Sequence, residues 1–529
     1  LVHATFIDRS FDQNADGRTD SGADFWTSYM FHTRDIVRQF MVDYHQLVRV
    51  MRAFDGERRF GFDLDGDGSA ELAGDFDADG EVDIGGDAKI VMSGGSLGGI
   101  MSMLVGATEP EVTAIAPIAG GGGYSDMGTR TLQGGAIEAF VLRVMGPIYA
   151  GTVDLGTGSV TINTTVVDLN DDARFAIGVA EGIQAGDTMI AENLVNGVHG
   201  CGIVQPDGKV RASLESDTDD LIRLVFYRGH QLVPGTECEV HAGAEVVDVI
   251  DTFEREVFYQ GRTYAVGSPL RALEDGLGLP RATPDFRRMM GLGQLVLDPA
   301  DPATYARHLL DEPLVYPGTG DVTGCHTLVL TSMGDMNVPA GSGVTFGRAA
   351  GLIEFLEANP DYGVPDNQVL LDTYVAEAVH NLDRFTDGAG RSVHLDVDVL
   401  TDSSQTSGRP YRPWSPPSRI GVCEPDPLGG FSAAFFPPTR DTGQHGFDPP
   451  GAMLDGARES CRNACGEDGP NPCGCDDLQT YDVGQFLFNL ASRYMATDGE
   501  ELTVDACHSR DDCDYKLPVP ALRDTTQLP

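Results

Sequence analysis

Apolar residues recur at helical spacing through residues 34–54 (RDIVRQFMVDYHQLVRVMRAF), a period that predicts one amphipathic helix. Further along, the pattern changes to short unbroken apolar runs: KIVM at 89–92, VTAIAPI at 112–118 and HTLVLT at 326–331. Runs of this kind predict strands buried on both faces, as in a parallel sheet. Between 151 and 262 the text alternates, as in GSVTINTTVVDL and RLVFYRG, with turn residues between, and predicts a β-sandwich-like insert. Residues 263–320 turn helical and include DPADPATYARHLL, while 483–495 (VGQFLFNLASRYM) predicts a closing helix. The runs at 112 and 326 are separated by far more chain than a crossover needs, which is why an insertion is expected. The resulting division is a core first part (1–150), the insert (151–262), a helical lid-like segment (263–320), a core second part (321–500) and a tail (501–529). The second core part contains a long Pro- and Ser-rich connection at 386–440 and a Cys-rich loop at 455–477.

Composition narrows the partners. The chain has 529 residues, and its 41% hydrophobic content suffices for a large core. Thirty-six Lys plus Arg against eighty-one Asp plus Glu give a net charge of −45, which repels nucleic-acid phosphates and anionic lipid headgroups. No apolar run reaches the roughly 18 residues that would predict a membrane-spanning helix. Ten cysteines are even in number and partly clustered, as disulfides of an oxidising compartment would be.

The acid is concentrated in three near-copies of one loop. They read Asp12, Asn14, Asp16, Gly17, Asp20, Asp24; then Asp63, Asp65, Asp67, Gly68, Glu71, Asp75; then Asp75, Asp77, Asp79, Gly80, Asp83, Asp87. Oxygen ligands on alternate residues, followed by a glycine for a sharp turn, wrap the chain around a hard cation that takes oxygens at about 2.3–2.6 Å. The expected ion is structural Ca2+. Gly74 and Gly86 stand at the twelfth position, where an EF-hand has glutamate, so helix-free extracellular calcium loops are expected at 12–24, 63–75 and 75–87. Such stretches can also be plain solvated turns, but five close carboxylates within a Debye length of about 8–10 Å repel one another.

After KIVM the chain reads SGGSLGG at 93–99 and then IMSMLVGA: strand, tight turn, helix. G-x-S-x-G at such a junction is a nucleophile elbow, in which small residues at Gly94 and Gly98 let the backbone hold a serine hydroxyl clear of the sheet. Ser96 is the candidate nucleophile. Here the chain resembles the α/β-hydrolase family, and GGSLGG is similar to the elbow of secreted or surface bacterial lipases and esterases. The resemblance implies a mostly parallel sheet with flanking helices, interrupted by the β-rich insert and carrying disulfide-stapled loops. It also implies the chain order serine, acid, histidine. The segment SMGDMNVP at 332–339 is similar to the family's strand-end G-D-x-x-V-P loop, which makes Asp335 the expected acid. His445, in GQHGF ahead of the closing helix, matches the family's glycine-flanked histidine loop; His380, in TYVAEAVHNLDRF, is the competitor. His308, His326 and His394 fall on segments read as core or lid.

The same resemblance implies an oxyanion donor at the backbone N–H of Leu97. A second donor normally follows an earlier strand, often marked His-Gly, and no such motif precedes the helix; only residues 1–7 (LVHATFI) read as a strand there. The family's leading strands are therefore expected in a missing amino-terminal segment or a companion chain. Among the cysteines, Cys201 and Cys238 fall together in the insert and are expected to pair. Cys461, Cys465, Cys473 and Cys475 lie in a Gly-Pro-Asn stretch, and Cys507 and Cys513 in the tail; their C-x3-C-x7-C-x-C start lacks the paired knuckles of a zinc site, so disulfides are expected. That leaves Cys325 to pair with Cys423.

The expected protein is thus a serine hydrolase cleaving carboxylic esters, with an acyl-ester or lipid-like substrate and no organic cofactor. Its place is extracellular, at the cell surface or in the periplasm. The rival from another class is a non-catalytic, calcium-stabilised extracellular structural or adhesion protein on a hydrolase-like scaffold.

Overall fold

Helix α1 spans Met30–Arg52, starting earlier than its apolar period suggests, and buries Val37, Met41 and Val48 at four- and seven-residue spacing. Strand β1 (Ile90–Gly95), helix α2 (Leu97–Thr108) and strand β2 (Val112–Ile118) follow. The computed structural model describes residues 30–502 apart from 62, 64–65, 132, 134–141, 166–173, 281–282, 359–362, 373–418, 424–425, 438–444, 448–457, 460, 467–468, 471 and 478–482. Two compact units emerge: Leu1–Ile36 with Thr131–Leu297, and Val37–Arg130 with Asp298–Pro529.

The first unit contains the inserted strands β3 (Ile148–Thr152), β4 (Val160–Thr165), β5 (Arg174–Ala180), β6 (Thr188–Asn193), β7 (His199–Ile203) and β8 (Lys209–Ser213). They continue with β9 (Glu215–Ser216), β10 (Ile222–Tyr227), β11 (Val246–Ile250), β12 (Val257–Tyr259), β13 (Arg262–Tyr264) and β14 (Gly276–Leu277). Two short helices flank them, α3 (Leu142–Met145) and α4 (Pro284–Leu297). One four-stranded sheet runs β11-β10-β6-β7 and another β5-β4-β3-β8, with antiparallel pairing throughout both. Ile162 and Ile177 from one sheet and Met189, Leu224 and Phe226 from the other share a single apolar core. Alternating residues on half-buried strands supply this core, as the sequence pattern requires. A disulfide joins Cys201 on β7 to Cys238.

The second unit holds a five-stranded sheet in the order β1-β2-β15-β17-β16, where β15 is His326–Leu330, β16 Arg419–Cys423 and β17 Ser432–Phe435. The first four in that order run parallel, and β16 lies antiparallel at the edge. Helices α5 (Ala340–Ala349) and α6 (Val483–Ala496) also belong to this unit. On one face Ile115, Val329 and Ala434 pack with Met103 and Val105 of α2 and with Val344 and Phe346 of α5. On the other, Ala114, Leu328, Leu330 and Phe435 pack with Leu487, Leu490 and Tyr494 of α6. Helix α2 is buried nearly all round, from Gly99 to Thr108, as its uninterrupted apolar text demands. The molecule is therefore a mixed α/β protein with one mostly parallel sheet and separate antiparallel ones.

Three expectations change. The stretch read as a long connection at 386–440 contributes β16 and β17; in β17 the small residues Ala433 and Ala434 are fully buried, one on each face of the sheet. The lid-like segment 263–320 is divided, because the boundary between the units falls after Leu297. Cys325 is a free buried thiol rather than the partner of Cys423. It lies at the start of β15, Cys423 is on β16, and β17 runs between them. Two strand spacings of about 4.8 Å exceed the roughly 7 Å limit between bridged Cα atoms. The other described cysteines pair as Cys461–Cys475 and Cys465–Cys473. Cys507, Cys513, His380, His394 and the first acidic loop at 12–24 lie outside the described residues.

Candidate active site

Gly95 pairs with Ile118, Ile118 with Leu330 and Leu330 with Phe435, so the carboxyl ends of β1, β2, β15 and β17 form one row. Open parallel sheets bind ligands at this end. Ser96, Asp335 and His445 are all carried by segments that meet there.

Ser96 stands between β1 and α2 with φ 56° and ψ −119°, a conformation that costs an L-residue about 1–3 kcal/mol and needs support from its surroundings. The support is partly backbone: Ser96 N–H donates to Ile118 O at 2.9 Å, and Ile100 N–H donates to Ser96 O at 3.0 Å. It is also steric. A Cβ on Gly94 would lie 2.4 Å from the carbonyl carbon of Gly98, and one on Gly99 would lie 2.7 Å from Ile118 O. A Cβ on Gly98 itself meets open space, so what matters at 98 is the nearness of its backbone to Gly94. Ser96 is half-buried and Leu97 is 36% exposed, which leaves the turn accessible. Leu97 opens α2, and its N–H is among the first helical amides, which have no intrahelical acceptor.

Asp335 follows β15 and is fully buried. Its Oδ1 accepts N–H groups from Asn337 at 2.9 Å and Val338 at 3.1 Å, and its Oδ2 accepts from His445 Nδ1 at 2.9 Å. A carboxylate oxygen can only accept, so Nδ1 carries the hydrogen and Nε2 is left with its lone pair. The hydrogen bond to Asp335 raises the His445 pKa above its ordinary value, partial burial opposes this, and the carboxylate's charge adds to it. The imidazole is therefore a stronger base than a free one, with its side chain 29% exposed.

His445 is placed through its neighbour. Ser332 Oγ, buried after β15, donates to Gly446 O, and a Cβ on Gly446 would lie 3.9 Å from side-chain carbons of Ile118 and Ala119. Ser332 was not singled out by its residue type; nothing in the sequence signals a hydrogen bond between positions 114 residues apart. Ser96 and Gly446 thus both sit on the end of β2. The Ser96 hydroxyl has no hydrogen-bond partner among the described residues, so the serine–imidazole bond is not made in this conformation. Such bonds are often long before substrate binds.

The other histidines with resolved contacts have structural partners. His326 Nδ1 lies 2.6 Å from Asp426 Oδ2, and Asp426 also accepts from Gly430 N–H and Ser432 Oγ. His308 Nδ1 lies 2.5 Å from Glu312 O.

Two acidic loops lie between α1 and β1. In the last of them Asp75, Asp77 and Asp83 converge, with one oxygen from each within 4.8 Å of the others. Asp75 is 2% exposed, and its two oxygens accept N–H groups from Ala78 at 2.8 Å and Gly80 at 2.9 Å. Gly80 takes φ +91°, the left-handed turn its position after three aspartates predicts. Asp79 and Asp87 stand outside this group. In the preceding loop Asp63 accepts from Gly66 and Gly68 N–H, and Asp67 from Ser69 N–H, but no three carboxylates converge among the described residues; Asp65 lies outside them. Arg52 of α1 donates to Gly86 O and Ala88 O, which ties the loops to the helix.

No family model, curated protein or solved structure matches this chain. No helix among the described residues is long and apolar enough to cross a membrane.

Proposed function

We propose that this protein is a serine hydrolase that cleaves carboxylic esters. The observation that carries the reading is the His445–Asp335 hydrogen bond, formed over the same row of strand ends from which Ser96 projects on its strained turn. In this reading Ser96 Oγ attacks the acyl carbon while His445 Nε2 takes its proton, and Asp335 holds the imidazole and offsets its new charge. The Leu97 N–H stabilises the oxyanion at the entrance of α2, a donor worth about 3–4 kcal/mol. The imidazolium then protonates the leaving alcohol, and water, deprotonated by the same nitrogen, releases the acid and restores Ser96.

Two further readings belong with this one. The convergent oxygens of Asp75, Asp77 and Asp83 fit a hard cation, and Ca2+ bound there would brace the connection between α1 and β1. The disulfides and the calcium loops favour a place outside the cytoplasm. The unpartnered Ser96 hydroxyl is the observation on the side of a non-catalytic extracellular scaffold.

A fluorophosphonate probe separates the enzyme from the scaffold. Covalent labelling of the intact chain that disappears in Ser96→Ala supports the hydrolase; absence of labelling favours the scaffold. Alanine replacement of His445 and of His380, made singly, tests the base: loss of activity confined to the His380 variant would overturn the assignment.

A further inference from the structure

We propose that the inserted β unit carries a binding cleft for a neutral saccharide, separate in residues and in chemistry from the serine site. A cavity of about 400 Å³ lies among α3, the β9–β14 pair, the start of α1 and α4. That volume is at the small end of the range for small-molecule sites. Its buried lining is apolar, with Met30 and Val144 8% and 3% exposed and Met289 half-buried beside them. Its exposed lining comprises Asn196, Leu277 and three acids, of which Asp275 pairs with Arg143 while Glu215 and Asp217 have no ion pair among the described residues.

The cavity also holds polar groups that the protein leaves unsatisfied. Ser216 is 3% exposed and lines the cavity, yet its hydroxyl has no hydrogen-bond partner among the described residues. The Arg143 guanidinium lines it as well. Its Nη1 pairs with Asp275 at 3.1 Å and its Nη2 approaches Glu274 at 3.7 Å, while its buried Nε–H has no acceptor. Buried polar groups without partners are uncommon, and each costs about 1–3 kcal/mol until something satisfies it.

Three demands follow for an occupant. It must donate hydrogen bonds to the carboxylates at the edge, accept from Arg143 and exchange a hydrogen bond with Ser216, and lay an apolar surface on the methionines and Val144. An anion meets the second demand but is repelled by Glu215 and Asp217. An alkylammonium meets the first and third but brings a second cation to Arg143 and leaves its Nε–H unmet. A sugar meets all three, because each hydroxyl both donates and accepts and its ring C–H groups form an apolar face. Because the unpaired Ser216 and Arg143 atoms are buried, binding in this mode requires rotation of both side chains toward the cavity.

The test is calorimetric titration of the full chain with methyl glucoside, N-acetylglucosamine, maltose and lactose, alongside sodium acetate and n-butylammonium chloride. At least one saccharide is expected to bind with a Kd below about 10 mM. Glu215→Gln combined with Asp217→Asn, both at exposed positions, is expected to weaken that binding about tenfold by replacing charged acceptors with neutral ones, and Ser216→Ala is expected to weaken it by a similar factor. The proposal is overturned if none of the four saccharides binds at that level, if acetate or butylammonium binds while they do not, or if saccharide binding survives both variants unchanged.

Discussion

Replacement of Asp335 by asparagine is the sharpest perturbation of the proposed chemistry, because it preserves shape and changes one acceptor into a donor. The carboxylate accepts from three N–H groups, at 2.9, 3.1 and 2.9 Å, in a fully buried position. In Asp335→Asn the amide oxygen can keep the Asn337 and Val338 amides, but the new NH2 faces the Nδ1–H of His445. The imidazole relieves this clash by moving its proton to Nε2 and accepting at Nδ1. Nε2 then cannot take a proton from Ser96. A fall in kcat of about four orders of magnitude at neutral pH is expected, or about 5 kcal/mol of barrier. The fold should lose only about 1–2 kcal/mol, the difference between charged and neutral hydrogen bonds. Hydrolysis of p-nitrophenyl butyrate measures the first quantity and a circular-dichroism melt the second. A folded variant that keeps more than about a tenth of wild-type kcat would refute the reasoning, since no tautomer shift would then be limiting.

The hydrogen bond from Asp335 raises the His445 pKa, so kcat/KM should rise with pH along an apparent pKa above about 6.5, and the midpoint should fall back in Asp335→Asn; a pH–rate profile shows both. The matching contribution to stability is complete below about pH 6.5, where the unfolded histidine is also protonated, and is lost as pH rises through the higher folded value; melts across that window check the sign. Calcium at about a hundred times its Kd should add about 2.7 kcal/mol, so EDTA should lower Tm, and Asp77→Asn with Asp83→Asn should abolish the difference; an unchanged melt in EDTA counts against the site. Gly94→Ala places a methyl group 2.4 Å from the Gly98 carbonyl carbon, and should remove activity and lower stability by about 1–3 kcal/mol or more, read by melt and turnover. Burial pushes the Cys325 thiol up to about 12, so iodoacetamide should alkylate it only after denaturation, as peptide mass spectrometry would reveal.

Much of the second unit was legible where one physical demand dominated a stretch. Unbroken apolar runs marked β2 and β15 because a parallel strand between helical layers is buried on both faces. Gly-x-Ser-x-Gly marked the turn because strain at Ser96 leaves so little room at Gly94. The aspartate spacing likewise foretold the turn at Gly80, and in that loop Asp75, Asp77 and Asp83 converge. Strand β17 was hidden because Ser-Ala-Ala-Phe has weak intrinsic strand preference; its place depends on small side chains fitting beneath α6 and against the opposite layer. The Cys325–Cys423 expectation failed for a similar reason. Counting cysteines left two unassigned, but strand order decides which can meet, and order is a property of long-range pairing.

The candidate site draws its precision from the sheet more than from its own side chains. Beyond the last ladder positions the backbone keeps bonding sideways: Ser96 N–H to Ile118 O at 2.9 Å, Ala119 N–H to Leu330 O at 2.7 Å, Thr331 N–H to Phe435 O at 2.9 Å and Met333 N–H to Pro437 O at 3.0 Å. Each of these bonds crosses from one site segment to the strand beside it, so the positions of Ser96 and Asp335 are fixed by main-chain geometry that few substitutions can alter. Among the described residues His445 is held differently, by the Asp335 carboxylate, by Ser332 acting on the Gly446 carbonyl, and by Phe447 packed against the core that Leu487 and Leu490 share. Among the described residues the serine–imidazole bond is the one leg of the arrangement left unmade, while the backbone bonds that carry Ser96 and the segment of Asp335 are already in place.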